Sequence, residues 1–188
     1  LIVDEWGTWH AVEPGTNPGF LYQQNTLRDA LVAGCTLNIF NNHCDRVRMA
    51  NIAQMINVLQ AMILTDKEKM LLTPTWHVFE MYTVHHDATL LPTDLQTADC
   101  PTGSGKLPQL SVSASKDKAG RIHVTLCNLD PNAPAKVACQ IEGAKAQKLS
   151  GRVLTAGTMN AHNTFELPET VKTAEFNAFQ VAGDGFTD

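Results

Sequence analysis

A change of rhythm near residue 75 constrains this chain more than any other feature. Before it, short apolar runs alternate with helix-spaced segments; after it, apolar and polar residues alternate along the chain. Leu1 to Glu5 reads as a short buried strand, an apolar run ending in polar residues as parallel strands do. The segment from Trp6 to Gln24 holds Gly7, Pro14, Gly15, Pro18 and Gly19 and is a long loop, ordered by Trp9, Phe20 and Tyr22. In "NTLRDALVAG", Thr26 and Asp29 form a capping-box pattern, Leu27, Ala30 and Leu31 share a face, and Gly34 fits a helix C-terminal cap. "TLNIFNNH" is a second apolar run ending in polar groups. Asp45 then caps a second helix, "RVRMANIAQMINVLQAMILT", whose Met49, Ile52, Ile56, Leu59 and Ile63 recur at helical spacing, with a charged exit at Asp66 to Lys69. Strand, loop, helix, strand, helix is the order of a parallel α/β system. Two strands cannot close a barrel or cover both of their edges. With a strand-like run already at residue 1, residues 1–75 read as the interior of a larger fold.

From residue 76 the texture is antiparallel. A short helix at "WHVFEMY" precedes "VSASKDKAGRIHVTLCNL", a hairpin turning at Lys118, Ala119 and Gly120, with Val112, Ile122, Val124 and Leu126 expected inward. "AKVACQIEG", "AQKLSGRVLTA" and "AEFNAFQVAG" read as further strands, while "TADCPTGSGKLP", rich in Gly and Pro, reads as a mobile loop. Residues 76–188 are thus expected to form a sandwich. The five cysteines lack CxxC spacing and read as reduced thiols in or near cores, and no metal site is expected. His85 and His86 do not alter this, because adjacent residues on a strand point opposite ways. A net charge of -5 gives no nucleic-acid footprint. No apolar run approaches the roughly 18 residues that suggest a membrane span. Neither nucleic acid nor membrane is an expected partner.

The pair Asp4 and Glu5 is the chemical feature. At the C-terminal end of a strand beside Trp6 and Trp9, a carboxylate sits where barrel enzymes carry their sites, next to the aromatic faces that pack on sugars. Four blocks, "DEWGTW", "GFLYQQNTLRDALVAG", "LNIFNNHCDRVRMANIAQMINVLQAMI" and "MLLTPTWHVFEMY", together resemble the C-terminal part of family 51 glycoside hydrolases, the α-L-arabinofuranosidases. The resemblance covers most of residues 1–92. It implies a fold of α/β plus all-β type: an incomplete C-terminal part of a (β/α)8 barrel over 1–75, then an antiparallel, jelly-roll-like β-sandwich over 76–188. It implies a retaining mechanism in which Glu5 is the nucleophile, kept ionised by neighbouring hydrogen bonds, and in which Trp9 and Gln54 contact the sugar. Read from the residues alone, Trp9 is equally a loop anchor and Gln54 a polar residue on a mostly apolar helix. His43, in "NNHCD", would lie at the active-site face, where it reads more readily as a satisfied structural histidine than as a neighbour of the carboxylates. His77 and Asp87 read as surface or interdomain polar groups. The implied partners are arabinose-containing oligo- or polysaccharides and the missing N-terminal part of the barrel; the family also forms homo-oligomers. No cofactor is implied. The acid/base motif has no counterpart, since Glu13 and Glu80 do not sit in it, so the chain alone is expected to be inactive. The competing reading is a carbohydrate-binding or structural β-sandwich module without catalysis.

Overall fold

The computed structural model describes residues 1–103, 105–182 and 184–187. The chain begins with β1 (Ile2–Trp6), a long loop and α1 (Leu27–Asn42), followed by β2 (Met49–Ile52). β1 and β2 are parallel, with Ile2 opposite Met49, Val3 opposite Ala50 and Trp6 opposite Ile52, so β1 bulges at Asp4 and Glu5. β1 was expected to be buried, yet Leu1, Ile2 and Met49 are exposed. Only one sheet face is covered: the Trp6 ring packs against Phe40 at 5.4 Å and Phe79 at 5.9 Å.

The expected capping box is present, with Thr26 at the N-cap and Asp29 reaching back to it. The helix does not end at Gly34, however, and "TLNIFNNH" is its second half rather than a strand. Gly34 serves close packing instead. The Tyr82 hydroxyl lies 3.0 Å from the Gly34 carbonyl, and a Cβ on residue 34 would lie 2.7 Å from Cys127 Sγ. Gly34→Ala is therefore expected to destabilise the fold by about 1–3 kcal/mol through overpacking, despite alanine's better helix propensity. Denaturant titration checks this; recovery in the Gly34→Ala, Cys127→Ala double variant would identify the clash as the cause.

The second expected helix is also corrected. Its span holds β2, an irregular segment and β3 (Ile63–Asp66), which forms a hairpin with β4 (Lys69–Leu72), so the supposed charged exit is a turn. Met49 and Ile52 have the right spacing for a helix, but pairing with β1 claims them. Beyond them, Asn57 and Leu59 take positive φ of 62° and 52°, which no right-handed helix contains. α2 (Pro74–Tyr82) follows, capped by Thr73, whose side chain accepts from Trp76 N. Ala30 and Ala33 of α1 pack against Val78 and Tyr82 of α2, and Leu37, Phe79 and Leu154 join this core.

The remainder is built of short antiparallel strands. β5 (Thr89–Leu91) lies next to β8 (Leu110–Lys116), which pairs with β9 (Ile122–Asn128) as the expected hairpin. The supposed loop at 97–108 is itself a hairpin of β6 (Asp99–Thr102) and β7 (Gly105–Pro108). β10 (Ala138–Gln140), β14 (Gly185–Thr187) and β13 (Gln180–Ala182) form one sheet in that order, and β11 (Gly151–Leu154) pairs with β12 (Thr173–Phe176).

The β8–β9 hairpin meets α1 through its hydroxyl-bearing face, not through Val112, Val124 and Leu126. Asn38, fully buried on α1, donates to Ser111 Oγ at 3.1 Å and accepts from Thr125 Oγ1 at 2.9 Å and from the Tyr82 hydroxyl at 2.8 Å. The apolar side chains lie on the other face, where Leu126 is exposed. Cys127 joins the polar layer and Cys35 lies beside it. Its hydrogen bond to Cys127, then burial, push the Cys35 thiol up, so it stays protonated. All five cysteines are free; Cys100 is buried, whereas Cys44 is exposed, against the expectation for thiols in cores.

His85 completes the layer, with Nδ1 2.7 Å from Ser115 Oγ and Nε2 3.2 Å from Thr125 Oγ1. Burial first, then the charges of His123 and His86, lower its pKa to about 4. An ordinary histidine titrates near 6.5, so the unfolded chain takes this proton first as pH falls. His85 should therefore erode stability between about pH 6.5 and pH 4, and its imidazole resonances should titrate near pH 4 by NMR. A midpoint near 6.5 would contradict the packing described.

Candidate functional site

The parallel pairing of β1 and β2 brings two of the three candidate residues to one end of one sheet. Ala53 N donates to Trp6 O at 2.8 Å, so Glu5 on β1 and Gln54 just past β2 lie at the same C-terminal edge. Gln54 follows a cis Ala53–Gln54 peptide in an irregular segment rather than sitting on a helix. Glu5 and Gln54 are both exposed. Trp6 turns its ring to the helices, while the neighbouring Glu5, within the bulge, is exposed. Among the described residues, no hydrogen bond reaches the Glu5 carboxylate or the Gln54 side-chain amide. The expected hydrogen bonds that keep Glu5 ionised are thus not made within the described chain.

Trp9 is 68% exposed on the loop leaving β1. That loop starts at Gly7, whose φ of +140° and tight approach to Gln60 Oε1 exclude a side chain without rearrangement. Three fully buried polar side chains then hold it. Thr8 N donates to Gln60 Oε1 at 2.8 Å, and Thr8 Oγ1 donates to Asp29 Oδ1 at 2.9 Å. Gln23 donates to Thr8 O at 3.2 Å and accepts from His10 N at 2.8 Å. His10 Nε2 donates to Asp29 Oδ1 at 3.0 Å. Asp29 also accepts from Thr26 N and Oγ1, and Arg28 reaches it at 3.4 Å. Burial alone would raise the Asp29 pKa, but the hydrogen bonds from Thr26, Thr8 and His10 outweigh it and bring the net value below the ordinary carboxylate range. Sequence reasoning saw Asp29 only as a helix cap. Gln23 and Gln60, reading as ordinary polar residues, carried no signal at all.

The remaining candidates lie elsewhere. His43 is the exposed C-cap of α1, next to the contacts of Leu1 N with Arg46 O and Arg48 N with Leu1 O. Those contacts mark the start of β1 and β2, so His43 is at the sheet end opposite Glu5, and its placement at the active-site face is corrected. Glu80 is engaged by Arg152 at 2.8 and 3.0 Å. Asp87 pairs with Lys118 at the surface, as expected of a surface polar group. His77 is half-buried, and burial lowers its pKa.

Glu5 and Gln54 thus share the C-terminal end of a two-stranded parallel sheet, and the exposed Trp9 lies on the loop that leaves it. The family model described as "Alpha-L-arabinofuranosidase C-terminal domain" matches residues 4–187. An "Intracellular exo-alpha-L-arabinofuranosidase" of Bacteroides ovatus is 48% identical over 182 residues, which is 96% of this chain and 35% of that protein. The crystal structure of the GH51 arabinofuranosidase from Xanthomonas axonopodis pv. citri superposes with a TM-score of 0.96 at 51% identity, covering 99% of this chain and 38% of that one. The thermostable GH51 α-L-arabinofuranosidase of Thermotoga petrophila superposes with a TM-score of 0.83 at 26% identity, covering 100% of this chain and 40% of that one.

The chain belongs to the family of α-L-arabinofuranosidase C-terminal domains. It spans about 35% of the length of the curated relative from Bacteroides ovatus.

Proposed function

We propose that this chain is the C-terminal part of a retaining α-L-arabinofuranosidase that releases terminal arabinofuranosyl residues from arabinose-containing oligo- and polysaccharides. In this reading β1 and β2 are the last two strands of a (β/α)8 barrel, with residues 1–75 contributing its closing portion and residues 76–188 an antiparallel sandwich packed against it. The observation that carries the proposal is the shared C-terminal edge of the parallel pair, which presents Glu5 and Gln54 together at the position where barrel enzymes hold their sites. The exposed Leu1, Ile2 and Met49 support further strands and side chains beside this sheet.

The chemistry follows from the side chains. The ionised Glu5 carboxylate attacks the anomeric carbon while a second carboxylic acid protonates the departing oxygen, giving a covalent glycosyl–enzyme ester. That second group, now a carboxylate, takes a proton from water, which attacks the anomeric carbon and restores Glu5. The two groups must stand about 5–5.5 Å apart. Glu80 is occupied by Arg152 and Glu13 lies in the loop, so neither is offered as the acid, which the family resemblance implies is supplied by another part of the enzyme. Trp9 offers a face for the furanose C–H groups, and the Gln54 amide both donates to and accepts from sugar hydroxyls.

A binding module working through an aromatic platform finds no support. Among the described residues after Cys100, the exposed large hydrophobic side chains are Leu107, Leu126, Leu167 and Val181, none aromatic. The test is arabinofuranoside cleavage by the full-length enzyme with and without Glu5→Gln; undiminished turnover in the variant would rule the assignment out.

A further inference from the structure

We propose that Asp29, Gln23 and Gln60 are positioning residues that fix the pose of Trp9, and that Thr8 is the link through which all three act. The inference rests on the functional reading above and extends it to a group of residues that do not touch sugar.

The backbone groups flanking Trp9 are gripped by buried side chains. Thr8 N goes to Gln60, Thr8 O to Gln23, and His10 N to Gln23. Thr8 Oγ1 and His10 Nε2 meet on one oxygen of Asp29. The three holding side chains are between 0% and 1% exposed, whereas the indole they bracket is 68% exposed. They are also tied to the rigid core. Gln60 Nε2 donates to Asp29 O at 2.7 Å and Thr75 Oγ1 at 3.1 Å, and Asp29 Oδ2 closes the N-terminus of α1.

Apolar side chains of similar volume would fill this space without the desolvation cost of buried polar groups. What these polar groups add is direction. Each flank of Trp9 has its peptide groups fixed, so the indole projects from a set backbone rather than a free loop. A wall held in its bound pose before the sugar arrives strengthens binding without new contacts. It should act on ground state and transition state alike and hence on KM rather than kcat.

The experiment uses the full-length enzyme and a small arabinofuranoside. Thr8→Val keeps shape and removes the hydroxyl bonds to Asp29 and Gln23; it should raise KM roughly tenfold with kcat within about twofold. In a Trp9→Ala background the same substitution should change KM by less than about twofold, because its effect passes through the indole. Thr8→Ser keeps the hydroxyl and should restore the wild-type KM. Additive effects of Thr8→Val and Trp9→Ala, or an equal loss in Thr8→Ser, overturn the proposal. If Thr8→Val does not fold, Gln23→Met, which frees Thr8 O and His10 N, takes its place in the cycle with the same expectations. Glu5→Gln separates the two levels of the argument. Activity surviving in that variant overturns the functional reading, whereas its loss combined with additivity at Thr8 and Trp9 overturns only the positioning role.

Discussion

On the proposed function, replacing Glu5 by glutamine should lower arabinofuranoside turnover by the full-length enzyme about 10⁴- to 10⁶-fold, the range seen when a nucleophile is removed from a catalytic group. The amide keeps the size of the carboxylate but cannot form the glycosyl ester. Structural damage is not a competing explanation. The Glu5 side chain is exposed and, among the described residues, makes no hydrogen bond, so stability should stay within about 0.5 kcal/mol of wild type. A second variant settles which carboxylate Glu5 is. Glu5→Ala leaves space for a small anion such as azide to attack the anomeric carbon from the vacated side, displacing the aglycone and yielding a glycosyl azide of inverted configuration. If the recovered azide instead retains configuration, the nucleophile is still present and Glu5 is the acid/base. Product stereochemistry by NMR decides between them.

The candidate site and the fold around it drew on different kinds of signal, and the reason is physical. The Asp4–Glu5 pair beside Trp6 and Trp9 stands out locally as carboxylates and indoles at the end of an apolar run, but the choice of Glu5 as nucleophile and of Trp9 as a sugar wall came from the family resemblance. Gln54 was reached only through family resemblance, on a segment expected to be helical. The structure moves it to a strand end, which makes its place beside β1 understandable. The misread stretch 46–65 shows why periodicity fails there. Met49, Ile52, Ile56, Leu59 and Ile63 keep three- and four-residue spacing, but Met49 and Ile52 pair with β1 while Leu59 adopts positive φ. Short strands joined by turns can imitate that spacing, and only the long-range partner distinguishes them. Gly34 misled for a related reason. Glycine marks helix ends through φ, and here it marks a close approach by Cys127 and Tyr82 that no local pattern reveals. Asn38, Gln23 and Gln60 were invisible because burial of a polar side chain depends on partners 13 to 89 residues away.

The other large effect is expected at Asp29. Asp29→Ala removes the acceptor of Thr8 Oγ1, His10 Nε2, Thr26 N and Thr26 Oγ1 at one stroke, leaving those donors in a closed interior. Breaking a buried charge-assisted network of this kind costs about 3–5 kcal/mol, a large share of a domain's total stability. The same carboxylate gives the fold an acid limit of defined sign. Its folded pKa is lowered, so the unfolded chain binds the proton first as pH falls. The contribution is complete above about pH 5, begins to fade near the ordinary aspartate value of about 3.9, and is lost as pH drops through the lower folded value. The hydrogen bond from His10 and the Arg28 guanidinium at 3.4 Å reinforce that direction, because both favour the ionised form of Asp29. Asp29→Asn keeps the volume but offers at most one oxygen to four donors, so it should lower stability at neutral pH and flatten the decline below pH 5. Denaturant midpoints measured from pH 7 down to pH 3 test both parts together. An Asp29→Asn curve displaced downward but parallel to wild type would assign the acid limit to other carboxylates, whereas convergence of the two curves at low pH assigns it to Asp29.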